Sequence, residues 1–220
     1  MVSCQGMRGR LFVLTGASGV GKGTVRAKVL ERTRLFYSIS MTTRPPRPGE
    51  RHGVDYYFVD EAAFLDLVAK GGFLEYAQYV DHYYGTPRLP VERALARGED
   101  VLLEIEVQGA LQVRERFPAA VLIFLAPPSL SELRRRLLLR GKDTPEKIAK
   151  RLARAEEEIR LAHLFDYVVV NEVVEEAAFE LLTIIRAEKH KTPYMDEALR
   201  RALSRDPDLE SELDEIERRL

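Results

Sequence analysis

The stretch Gly16-Ala-Ser-Gly-Val-Gly-Lys-Gly-Thr24 decides how the chain is read. The apolar run Leu11–Thr15 leads into it, and a helical pattern begins at Lys22. Strand, glycine turn and helix, in that order, form the setting a phosphate-binding loop needs. Gly16, Gly21 and Lys22 meet the spacing G-x-x-x-x-G-K. Glycines let successive N–H groups turn onto phosphate oxygens with no side chain in the way. The helix start points partial positive charge at the same place. Lys22 adds a point charge for the outer phosphates. Gly16, Ala17, Ser18, Gly19, Val20, Gly21, Lys22, Gly23 and Thr24 are therefore expected to hold a nucleotide's phosphates. The competing reading, a structural glycine turn, does not account for a lysine in register.

Outward from the loop, five short apolar segments read as buried parallel strands: Leu11–Thr15, Phe36–Thr42, Val101–Val107, Val121–Ala126 and Tyr167–Asn171. Helical patterns lie between or after them, at Lys22–Thr33, Val91–Arg97, Gly109–Arg116, Ser129–Arg140, Thr144–Leu161 and Glu172–Glu188. This alternation predicts a doubly wound α/β sheet with its ligands at the carboxyl ends of the strands. Residues 43–90 break the alternation. They are rich in Pro and Gly and hold six of the nine tyrosines. Short strands at Asp55–Val59 and Phe73–Val80 are expected around a helix at Glu61–Lys70, which makes a small inserted β-rich lobe. A second insertion is expected around Gly141–Pro145, between arginine-rich helices. In the tail from Asp196 to Leu220, Leu209, Leu213, Ile216 and Leu220 recur at helical spacing, which predicts a surface helix.

Composition narrows the function classes. The chain has 220 residues, 45% hydrophobic and 31% charged, which suits one globular core with insertions. A net charge of −1 gives no field to gather nucleic acid or a membrane surface, and no apolar run approaches a membrane span. The arginine cluster at 131–154 lacks the aromatic platform of a nucleic-acid site. Cys4 is the only cysteine, so an internal disulfide is excluded, and a reducing cytoplasm is expected. The four histidines match no metal spacing, and no Ser or Cys nucleophile is paired with a base.

Further stretches carry a specific resemblance. Ser38-Ile-Ser-Met-Thr-Thr-Arg-Pro-Pro-Arg-Pro-Gly-Glu50, Gly53-Val-Asp-Tyr-Tyr-Phe58, Phe73-Leu-Glu-Tyr-Ala77, Tyr83-Tyr-Gly-Thr86 and Leu103-Glu-Ile-Glu-Val-Gln-Gly109 together resemble the guanylate kinase signature. The match is collinear from about Arg10 to Arg186. The resemblance implies an α/β, three-layer P-loop NTPase fold with a parallel five-stranded core sheet, an inserted β-rich GMP-binding lobe and a short lid. It implies a core at 10–42 and 91–190, the lobe at 43–90, the lid at 137–151 and a charged helical tail at 191–220. The implied activity is transfer of the ATP γ-phosphoryl group to GMP, and to dGMP, with Mg²⁺. A protein-interaction module of the same lineage is the rival reading, and the intact loop weighs against it. A kinase of the same fold with another acceptor is a third.

The residues bear this out chemically. Guanine's pairing edge offers two donors, which a carboxylate accepts together. The resemblance gives this task to Glu75, gives O6 to Ser40, places Thr86 near the base and Glu106 at the amino edge. Arg44 and Arg47 flank Pro45-Pro46, whose fixed φ keeps the pair extended and ready for a phosphate. Tyr56 and Tyr84 are expected to add phenolic donors to that phosphate. Arg136 and Arg140 share one helix face, and Arg151 begins the returning helix. The resemblance makes these three arginines, with Lys22 and Arg44, the expected catalytic charges on the transferring group. Glu104 is expected to serve the magnesium shell through water, and Asn171 to lie near the ATP adenine. The Gly-Lys-Gly-Thr ending resembles adenylate kinases, so Gly23 removes the usual hydroxyl ligand and leaves Thr24 as a weak one.

Overall fold

The computed structural model describes residues 9–79, 81–139 and 144–192, with isolated positions 195, 202 and 218. It divides into two units, 1–182 and 183–220, and both sheets lie in the first. The larger sheet contains β1 (Leu11–Gly16), β2 (Phe36–Tyr37), β7 (Val101–Glu104), β8 (Val121–Ala126) and β9 (Tyr167–Val170). All its pairings are parallel, in the order β2-β7-β1-β8-β9. Every residue of β1 is buried, as is all but the last of β8, which explains their unbroken apolar runs. Leu11, Val13, Leu103 and Leu122 from these strands meet Val91, Leu95, Ala110 and Val113 from two neighbouring helices in one cluster.

From β1 the chain runs outward to β2, returns through β7, and then crosses to β8 on the opposite side. The winding thus reverses at β1, and a ligand crevice opens at such a point. The glycine loop leaves the carboxyl end of that strand. It enters α1 (Lys22–Arg32), whose N-cap, Gly21, offers no side-chain cap. By contrast, α2 (Glu61–Ala69) is capped by Asp60 and α6 (Pro145–Arg160) by Thr144, each accepting from the first turn. The free N–H groups of α1 are thus left for an anion.

The second sheet holds β3 (Met41–Thr42), β4 (Tyr57–Phe58), β5 (Phe73–Tyr79) and β6 (His82–Pro87), in the order β4-β3-β6-β5. The expected strand Phe36–Thr42 is in fact two. Phe36–Tyr37 pairs with β7, and Met41–Thr42 pairs with β4 and β6 in the other sheet. The strand expected at Val101–Val107 stops at Glu104, because α4 (Val107–Arg116) starts there with Glu106 as its cap residue. Strand β6 is an addition: His82–Pro87 pairs antiparallel with β5, Gly85 opposite Tyr76 and Pro87 opposite Phe73. The remaining helices are α3 (Arg88–Ala96), α5 (Leu130–Leu139) and α7 (Val174–Lys189). Arg140, most of the Gly141–Pro145 turn and the tail pattern lie outside the described residues. No described helix is long and apolar enough to cross a membrane.

Candidate active site

A cleft of about 500 Å³ lies between the carboxyl end of the core sheet and the second sheet. Ser18 and Lys22 line it from the loop, Ser40, Tyr56, Glu75 and Tyr84 from the second sheet, and Glu104 and Glu106 from the end of β7. Arg151 and Arg154 line it from α6. Two sets of expected residues, one from the loop and one from the second sheet and its surroundings, therefore face one space.

The loop is shaped by backbone that only glycine takes easily. Gly19 and Gly21 have φ of 89° and 100°. A Cβ on Gly16 would stand 2.2 Å from the carbonyl oxygen of Leu125 on the adjacent strand. Lys22 folds back, its Nζ donating to Gly16 O at 2.7 Å and facing Glu106 at 3.8 Å. Asn171, fully buried, donates to Val20 O at 2.7 Å, so it props the loop from β9. Its Oδ1 is buried without a hydrogen-bond partner.

The acceptor side is organised around Glu75. Its carboxylate is 6% exposed and accepts from Thr86 Oγ1 at 2.6 Å. The two face each other because they are cross-strand partners in the β5–β6 register. Burial pushes Glu75 up to about 7, opposed by the Thr86 hydrogen bonds and Arg116 and reinforced by Glu106. A Cβ on Gly109 of α4 would lie 2.5 Å from its Oε2, so the glycine is what admits the carboxylate. Helix α4 also fixes β5 lengthwise. Gln112 bonds both the N–H and the C=O of Tyr76, and Arg116 donates to the carbonyls of Phe73 and Leu74.

Tyr56 and Tyr84 meet edge to face at 6.1 Å. Burial, then the neighbouring Tyr37 and Tyr84, push Tyr56 up to about 12, so it remains a phenol donor. Arg44 lies against Tyr56 and Phe58 and donates to Glu50 at 2.9 Å, and Glu50 also accepts from Arg47 N. Arg47's side chain is exposed, and neither arginine lines the cleft.

The arginines of the second insertion separate. Arg151 lines the cleft, whereas Arg136 turns away to Glu132 and to the carbonyls of Asn171 and Glu172. Arg140 lies outside the described residues. Two residues not singled out in the sequence enter instead. Arg154 donates to Glu106 at 3.1 Å and to Glu158 at 2.8 Å. Burial opposes its charge, but Glu158 and Glu106 outweigh that and hold its pKa up. Glu158, itself buried, accepts from the Ser18 N–H at 3.0 Å. Their i,i+4 spacing on α6 is visible in the sequence, but their reach to the loop is a tertiary fact.

Glu104 pairs with Arg26 at 3.2 Å; its Oε2 is buried and accepts no hydrogen bond, and burial raises its pKa against Arg26 and Lys22. A Cβ on Gly23 would lie 3.8 Å from its other oxygen, so this carboxylate adjoins the loop. Among the described residues no three His, Cys, Asp or Glu side chains form a metal-holding group. Glu104 beside a phosphate cradle, with Glu106 on the same wall of the cleft, fits a cation carried in on the nucleotide.

The guanylate kinase family model matches residues 8–188. Guanylate kinases from two strains of Thermus thermophilus are 74% and 75% identical to the chain, over 98% and 97% of it and 96% and 97% of their own lengths. The guanylate kinase of Deinococcus radiodurans is 56% identical over 83% of the chain and 77% of its own. The crystal structure of guanylate kinase from Anaplasma phagocytophilum superposes with a TM-score of 0.71 at 40% identity, covering 86% of this chain and 90% of that one.

Proposed function

The chain belongs to the guanylate kinase family, and from that premise we propose that it transfers the terminal phosphoryl group of ATP to the phosphate of GMP. The acceptor's phosphate oxygen forms the new bond to phosphorus as the bond to the ADP oxygen breaks. A nucleotide monophosphate is already ionised near neutral pH, so no base has to remove a proton. Alignment and charge neutralisation carry the work.

The observation that carries this reading is a buried carboxylate sharing one cleft with a glycine loop. Glu75 has one hydroxyl donor and room for more, which suits guanine's paired donors. Adenine has no N1–H and would leave the carboxylate desolvated and short of a partner; such mismatches cost roughly 10⁴-fold or more. Ser40 is assigned to guanine O6, and Glu106 to the amino edge. Tyr56 and Tyr84 lie at the cleft wall for the acceptor phosphate, and Arg44 and Arg47, now held by Glu50, are assigned to it as well. The loop with Lys22 takes the donor phosphates, and Arg151 faces the space where the transferring group passes. Arg136 and Arg140 are assigned the same task, which for Arg136 requires leaving its carbonyl partners. Glu104, with Thr24 contributing weakly, would hold Mg²⁺ through water, and the ion would neutralise charge on the donor phosphates. Asn171 is assigned to the donor side as a prop of the loop. Residues 43–90, joined by Met41–Thr42, form the acceptor lobe, and 137–151 the lid, on a core at 10–40 and 91–190, with 191–220 as the tail.

Coupled turnover with GMP, AMP, UMP and dTMP as acceptors tests this. GMP turnover is expected to exceed the other three by about 10³-fold or more. Equal rates on all four discard the guanine assignment.

A further inference from the structure

The reaction as proposed leaves one cation of the cleft without a task. Arg154 lies one turn before Glu158 on α6, and three elements meet on its planar head. Nε donates to Glu158 Oε1 at 2.8 Å, and Nη2 donates to Glu106 Oε2 at 3.1 Å. The guanidinium carbon lies 4.8 Å over the ring of Tyr79, at the end of β5. The other Glu106 oxygen faces Lys22 Nζ at 3.8 Å. Glu106 therefore sits between two cations.

The two cations are not equivalent. Under the reading proposed above, Lys22 is drawn to the donor phosphates. Arg154 is anchored on its own helix, one turn from the buried Glu158 that accepts its Nε, while the other Glu158 oxygen accepts from the Ser18 N–H at 3.0 Å. Stacking on Tyr79 restricts it further.

We propose that Arg154 is a positioning residue that keeps Glu106 at the acceptor site once the donor phosphates have taken Lys22. Without donor, either cation holds the carboxylate. With donor bound, only Arg154 does, and an unheld Glu106 is pushed aside by the incoming negative charge. The dependence on Arg154 is thus conditional on the donor, whereas an arginine with a purely structural role would act alike in both states. The inference rests on the reading of the loop as donor site and of Glu106 as an acceptor contact.

The test is the Kd of GMP, measured by calorimetry with and without a non-hydrolysable ATP analogue. In Arg154→Ala, GMP binding is expected to weaken on the order of tenfold with the analogue and less than about threefold without it. Arg154→Lys keeps the charge but not the fork, and should regain part of the loss. The double variant Arg154→Ala/Glu158→Gln guards against poor folding. An amide at 158 still accepts from Ser18 and removes the buried charge that Arg154 balances, so the conditional loss should persist. An equal loss in both states, or none, overturns the inference. Wild-type protein that binds no GMP in either state overturns the underlying reading instead.

Discussion

The glycine loop and the β-rich lobe face each other across one cleft but are built by opposite means. The loop's working atoms are backbone N–H groups and one lysine, contiguous in sequence and shaped by glycine conformations at Gly19 and Gly21. The lobe's working atoms are side chains from separate strands, brought together by register. Glu75 meets Thr86 only because β5 and β6 pair as they do, and Glu75 fits only because α4 presents Gly109. The difference teaches where each half is vulnerable. The loop presents backbone N–H dipoles and a single side-chain charge, so that charge is its one replaceable electrostatic element. The lobe buries a carboxylate and carries an electrostatic penalty until a partner arrives.

The largest effect expected from this contrast is on the loop side. Lys22→Ala removes the charge proposed to meet the donor phosphates and should lower kcat by roughly 10²–10³-fold. Its partners in the nucleotide-free protein are a carbonyl and the half-exposed Glu106, so thermal stability should move little. Steady-state kinetics with a melting curve on the same sample checks both. A kcat within threefold of wild type would break the comparison at its stronger end.

On the lobe side the expected effect is smaller in rate and opposite in stability. Glu75→Gln keeps an acceptor but turns the other oxygen into a donor facing guanine's donors. It should lower kcat/KM for GMP by about 10²-fold, mostly through KM. The pH dependence has a definite sign. Burial raises Glu75 from 4.5 to about 7, so the folded protein holds this proton more tightly than the unfolded chain. Its destabilising contribution is absent below the unfolded value, grows between about 4.5 and 7, and is full above that. The variant should therefore melt higher than wild type at pH 8, with the gap closing by pH 4.5. In the proposed role the same carboxylate is ionised to accept both guanine donors, so the wild-type KM for GMP should rise as pH falls below about 7. Melting gaps that do not change with pH would show that Glu75 carries no such burden.

The same contrast governs what the sequence discloses. Loop residues lie within nine consecutive positions, so spacing alone identifies them, and the buried strands β1 and β8 declare themselves by unbroken apolar runs. The lobe was legible as an insertion, and Glu75 and Thr86 as family positions. Their mutual hydrogen bond was not, because register is set by partners far along the chain. Strand β6 was hidden by Gly85 and Pro87, which mark turns in isolation and here occupy a paired strand. The division of Phe36–Thr42 between two sheets was hidden for the reverse reason: one apolar run serves two partners. Arg154 and Glu158 carried a visible i,i+4 spacing, but that pattern usually marks a solvated helix face. Only the approach of α6 to Ser18 gives it consequence.

The smallest expected effect tests how far the loop's rule extends. Gly23 differs from Gly19 and Gly21: its φ is not positive, and a Cβ there would sit 3.8 Å from Glu104, an ordinary contact. Glycine is thus required at 19 and 21 by conformation but at 23 by neither conformation nor space. Gly23→Ser should fold with unchanged stability and keep kcat/KM within about threefold, since under the proposed role of Glu104 the added hydroxyl would join the Mg²⁺ shell rather than replace a ligand. Its visible consequence should lie in the metal requirement, with half-maximal activity reached at lower Mg²⁺. A tenfold loss of activity would mean that the loop needs the bare backbone of Gly23 against a phosphate, and that its dependence on glycine runs into the start of α1, past the last positive φ at Gly21.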